Sequence, residues 1–367
     1  MSKPPLKGPS VESNARPKWR LGLAIAVLAV AVGAGVLWLR SGPATPPPAV
    51  HTIAYGRALE QAHDGKPGAA RVLFQQFART DLSGARRAGL LVELSNFPSP
   101  QALKLAGAAL HSDESVVRQA AIDAIVKLVS GSQRSVLLGP LLDEKDRATR
   151  FSAAKAMLGL TPDDVGLYFS PLEQVVEEYK NVLIATTPAT SQDQLQLARL
   201  YLHSDDKMRA AKALDQALTL DPGNLNAALV QIDLLDQQGQ ADKARQLLGQ
   251  LLEHNPASSM LQHALGMWLL NHGQSEYALL GLAKAVELDP DNNDFRYDLA
   301  VALHGLEQLE PAQRQLEDIM QRQPANRRAR VLLIHYWQES GQLQKVQVLL
   351  AELEQQNPDD PALQQGL

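Results

Sequence analysis

Two four-residue runs, His111-Ser112-Asp113-Glu114 and His203-Ser204-Asp205-Asp206, each place an imidazole, a hydroxyl and two carboxylates within about one turn. Such a set has the donors of a metal site or of a general base and its partners. Ser and Asp at a junction between two helical stretches also cap the following helix, and capping is the expected role of both runs. The carboxylate pairs Glu177–Glu178 and Asp359–Asp360 are expected on solvated helix faces. No serine lies in a nucleophile elbow, and no glycine-rich phosphate loop occurs. Cysteine is absent, which removes disulfides, thiol nucleophiles, Cys zinc sites, covalent haem attachment and a lipidated cysteine. The chain is therefore expected not to be an enzyme, with no catalytic residue, no metal site and no cofactor.

The elements that carry these residues are helical. Aromatic residues make up only 5% of the 367-residue chain, while Ala, Leu and Gln recur throughout, a balance that suits helix-on-helix packing and not a β-sandwich. Residues 1–50 hold six basic residues and one acid, Glu12; the remainder has 29 basic and 39 acidic residues. An acidic body is a poor ligand for phosphate backbones, which excludes nucleic acid as a partner. Leu21 to Leu39 is uncharged for 19 residues, flanked by Trp19 and Trp38 and closed by Arg40. That length suits one bilayer crossing. Five basic residues precede it, so residues 1–20 are expected in the cytoplasm and the rest exported. Residues 40–51 read as a stiff Pro-rich linker. The expected location is a bacterial inner membrane, single-pass, with the body in the periplasm.

Prolines 188, 222, 256, 290, 324 and 358 are spaced 34 residues apart without exception. With 191 as position one, five units cover 191–360. Position 20 is Ala210, Ala244, Ala278, Ala312 and Val346, and position 24 is Leu in all five. Gly239, Gly273 and Gly341 fall where a helix end needs a left-handed residue, and each proline is expected in a first helical turn. This pattern resembles the tetratricopeptide repeat, two helices per unit, in which small residues let helices approach and neighbouring units share a core. Upstream, Arg86, Arg118 and Arg150 are 32 residues apart within SGARRAGLL, SVVRQAAID and RATRFSAAK, with Asp81 and Asp113 preceding the first two. These units, at 52–163, resemble HEAT repeats, in which Asp and Arg tie successive units. Residues 164–190 read as a joining helix in phase with the later units, with Val176 and Leu183 at positions 20 and 27. Residues 361–367 are left as a tail. The fold expected is an all-α solenoid, one continuous curved rod behind a transmembrane helix.

The tetratricopeptide resemblance implies a concave groove lined by positions 2, 5, 9, 12 and 13. Those read as partner-binding are Gln192, Leu195, Arg199 and His203; Asn226, Leu229 and Asp233; His263, Met267 and Asn271; Tyr297 and His304; and Val331 and His335. Leu195 and Arg199 stand where a carboxylate clamp would have Lys and Asn, so a chaperone tail is not the implied ligand. The four histidines are expected as ordinary polar groove residues. HEAT-like units followed by tetratricopeptide units also resemble the C-terminal region of some bacterial multihaem cytochromes c, without their haem domain. The function expected is a membrane-anchored scaffold whose groove binds a partner polypeptide. The alternatives are an assembly factor for c-type cytochromes or respiratory complexes, with a cytochrome or its apo form as partner, or a polysaccharide or pilus assembly factor.

Overall fold

The computed structural model describes residues 49–364, with side chains from Tyr55 onward. The expected cytoplasmic tail and transmembrane segment, and the linker up to residue 48, lie outside the described residues. Among the described residues no helix is long and apolar enough to cross a membrane.

The described residues form successive packed helices. The first are α1 (Ala49–His63), α2 (Ala69–Phe77), α3 (Gly84–Leu94), α4 (Pro100–Ala109), α5 (Ser115–Leu128), α6 (Gly131–Leu138), α7 (Arg147–Met157) and the short α8 (Pro162–Val165). An arginine ladder holds their order. Arg87 pairs with Glu114 at 3.4 Å, Arg118 with Asp146 at 2.6 Å, and Arg150 with Glu178 at 2.5 Å. Each guanidinium also reaches back to the carbonyls of the preceding turn, as Arg118 does to Ser112 and Asp113. In the first unit the ladder residue is Arg87, one place after Arg86. Its acids come from the next unit downstream, not from Asp81 or Asp113, because the guanidinium points along the stack. The third rung lands on the joining helix α9 (Phe169–Ala185), where Val176 is fully buried and Leu183 nearly so.

Five pairs follow: α10 (Ser191–His203) with α11 (Lys207–Leu220), α12 (Leu225–Gln237) with α13 (Ala241–His254), α14 (Ser259–Asn271) with α15 (Ser275–Leu288), α16 (Asn293–Gly305) with α17 (Leu309–Arg322), and α18 (Arg327–Glu339) with α19 (Leu343–Gln356). First and second helices each begin 34 residues apart. The residue before every first helix (Thr190, Asn224, Ser258, Asn292, Asn326) accepts a hydrogen bond from the backbone N–H three residues on, satisfying a donor the helix itself leaves orphaned. The repeat prolines lie in the turns between units, ahead of the first helical residue. There the carbonyls of Pro290 and Pro324 accept from Arg296 and Arg330 at 3.2 and 2.6 Å. Ala210, Ala244, Ala278 and Ala312 have no exposed surface, so the paired helices meet at backbone distance.

The rod closes on itself. Gly68 donates its N–H to the Gln355 carbonyl at 2.7 Å, and the buried Asn357 amide donates to the Pro98 carbonyl at 2.8 Å. Gly65 lies against Ala325 and Gln356 so tightly that a Cβ there would stand 3.0 Å from both. The α1–α2 and α3–α4 loops thus meet the last two units, which a repeat pattern alone does not specify. The short α20 (Pro361–Gln364) continues the phase: Asp360 caps it through Ala362 N–H and takes two 2.7 Å bonds from Arg327.

Candidate functional site

The expected groove residues lie on the first helix of each unit. Gln192, Arg199, Asn226, Asp233, Asn271 and His335 stand exposed along it, and Leu229, Met267, Tyr297 and Val331 are half-buried between them. Leu195 is different. It is 1% exposed, unlike its counterparts Leu229, Tyr297 and Val331 in later units, and it can offer no contact to a partner. Asp233 is held above the usual carboxylate range by desolvation on the wall and by the charge of Asp236.

The groove histidines tie neighbouring repeats together. His203 Nε2 lies 2.9 Å from Glu173, His263 Nε2 2.9 Å from Asp298, and His304 Nε2 2.6 Å from Glu339. His335 takes the other Glu339 oxygen at 3.1 Å, and His272, outside the expected set, meets Asp236 at 3.1 Å. Three of these rings also stack, His263 on Phe295, His272 on Trp268 and His304 on Tyr336. Between His304 and His335 both carboxylate oxygens of Glu339 already have a nitrogen partner. Among the described residues no group of three His, Asp or Glu is arranged to hold a metal.

The two runs with a catalytic appearance resolve differently. Asp206 caps α11 by accepting from Arg209 N–H at 2.9 Å, and that bond first, with the Arg209 guanidinium, holds its carboxyl low. In the earlier run no side chain caps α5. Ser112 Oγ accepts from Glu114 N–H at 3.3 Å, and Glu114 turns to Arg87. Asp360, expected on a solvated face, is instead fully buried against Arg327.

Closure of the rod gives the groove a second wall. At the last two repeats, Tyr297, Arg328, Val331 and His335 face Val92, Glu93, Asn96 and Lys127 across a cavity of about 840 Å³. The residues from α3 and α5 carry no repeat-position signal toward a groove some 200 residues downstream. Sequence reasoning had no route to them.

A tetratricopeptide repeat family profile matches residues 208–267. The matched stretch runs from α11 to α14, across parts of the first three 34-residue units. The uncharacterized protein y4yS of Sinorhizobium fredii is 39% identical over 71 residues, which is 19% of this chain. The match spans 39% of that relative's length. Among solved structures, the chain is similar to YrrB, described as a TPR protein with an unusual peptide-binding site, at 19% identity and a TM-score of 0.36. That match covers 52% of this chain and 98% of YrrB. MamA matches at 17% identity and a TM-score of 0.37, covering 44% of this chain and 94% of MamA. Yeast Tom70 matches at 14% identity and 0.42, covering 82% and 77%.

Proposed function

We propose that the chain is a non-enzymatic scaffold that holds a partner polypeptide against its tetratricopeptide groove. The observation that carries this reading is the row of exposed amides and charges on the concave helices, from Gln192 and Arg199 through Asn226 and Asp233 to Asn271. These side chains stand on capped, rigid helices and have hydrogen-bonding capacity free for a backbone or a side chain. Half-buried Leu229, Met267 and Val331 between them supply apolar anchors, the combination that peptide recognition uses for register and affinity. A photo-crosslinker placed at Asn226 or Asn271 in the full chain should trap a polypeptide. The same group at Leu280 or Arg245, on the second helices, should trap none. Equal trapping at all four positions would sink the groove reading.

The same proposal includes an anchor. The uncharged Leu21–Leu39 segment, basic residues before it and Arg40 after it support an uncleaved membrane helix with the repeats exported. HEAT-like character of the amino-terminal pairs belongs to this reading too, supported by the Arg87–Arg118–Arg150 ladder. Protein recovered from membranes should begin at or near Met1 on amino-terminal sequencing. A start between residues 40 and 50 would replace the anchor with a cleaved leader.

A further inference from the structure

The cavity between the two walls falls in the size range of sites that bury a ligand. Its charges are unevenly satisfied. Glu93 is met by His63 at 3.5 Å and Asn96 at 3.4 Å, and Asp294 takes one Arg328 N–H at 3.3 Å. Lys127 has no ion pair or hydrogen bond among the described residues. The Arg328 guanidinium lies 3.7 Å over the Tyr297 ring, which fixes it in place while its other N–H groups stay free. Lys127 on one wall therefore lacks a partner, and Arg328 on the other keeps N–H groups beyond the one it gives Asp294, in a body that is otherwise acidic. Beside it are apolar surfaces, Val92 at 59% exposure on one wall and half-buried Val331 on the other.

We propose that this cavity receives an extended segment of another polypeptide in which an acidic side chain sits next to an aliphatic or aromatic one. The carboxylate lies between Lys127 and Arg328, and the apolar side chain lies against Val92 and Val331. The site is composite: only one of its walls belongs to the tetratricopeptide array, and closure of the rod supplies the other. Charge-assisted hydrogen bonds from an ammonium and a guanidinium make a carboxylate the complementary group. This inference rests on the polypeptide-binding reading above and names the partner's chemistry.

The test screens the full chain against an array of random octapeptides. Selected peptides should be enriched in Asp or Glu beside Leu, Ile, Val or Phe, and binding should weaken as salt rises. Affinity for them should fall at least tenfold in Lys127→Glu and in Arg328→Glu and stay unchanged in Arg245→Glu. Replacing the peptide's acid by Lys should restore binding to Lys127→Glu, an exchange that a merely unfolded variant would not support. Selected peptides without an acid, or binding that Arg199→Ala abolishes and Lys127→Glu leaves intact, would overturn the composite site while the groove reading stands. Failure to bind any peptide, with a normal melting curve, would overturn both.

Discussion

Position 15 of the repeat shows how one residue's backbone decides its cost. Gly239, Gly273 and Gly341 end the first helix with φ near +70°, but repeats one and four place Asp205 and Glu307 there at φ +53° and +59°. A side chain in that region costs about 1 kcal/mol or more, since Cβ crowds the following carbonyl. Glu307→Gly should therefore raise stability by about 0.5–1 kcal/mol after its own entropy cost, seen as a higher melting temperature. No rise would mean that the Glu307 side chain makes a compensating contact. Tyr297 carries two loads. It packs against the core of the last repeats while the Arg328 guanidinium lies on its outer face. Tyr297→Ala should cost about 2 kcal/mol of partner binding and also lower the melting temperature. As a pure groove residue it would leave melting unchanged, so melting measured beside affinity separates the two roles.

Among the elements, the arginine ladder does for the amino-terminal pairs what capped turns and alanine crossings do for the 34-residue units. Arg118 alone bonds Thr149, Asp146 and two carbonyls. Its loss in Arg118→Ala should cost about 2 kcal/mol, since bonds to charged groups are the stronger ones. Hydrogen bonds from Thr149 first, then Arg118, lower the Asp146 carboxyl from 3.8 to about 2. A lowered folded-state value means that the stabilisation is complete above pH 4 and is lost as pH falls toward 2. Thermal melting followed from pH 5 to pH 2 should show this loss in the native chain and a shallower one in Asp146→Asn. Equal slopes would mean that other carboxylates dominate acid unfolding.

For the whole molecule, polar bonds hold the seam between the first loops and the last repeat. Asn357 is 1% exposed and donates its amide to the Pro98 carbonyl. Asn357→Asp would set a carboxylate against that carbonyl, so the seam should open while helices on either side persist. The expected result is unchanged helicity by circular dichroism with a larger radius of gyration in solution scattering. Because the chain has no cysteine, labels introduced at Lys66 and Gln355 would report the same opening as a distance. An unchanged radius would show that the seam survives without this bond.

The 34-residue period in the sequence settles the unit, its helix phase and its buried alanines, because those depend on neighbours within one repeat or the next. The capping residues are legible for the same reason, as Asp206 shows. SGARRAGLL offers two adjacent guanidinium groups, Arg86 at the 32-residue spacing and Arg87 beside it, and only packing shows that Arg87 reaches Glu114 of the next unit. Leu195 looked like a groove residue because it shares position 5 with the half-buried Leu229, Tyr297 and Val331, and how deeply one member of that row is buried depends on packing that the period does not record. Only the tertiary structure decides that the rod closes and that Lys127 faces Arg328. Superhelical curvature accumulates small rotations over many units, and the contacts it finally makes join residues too far apart for any local pattern to record.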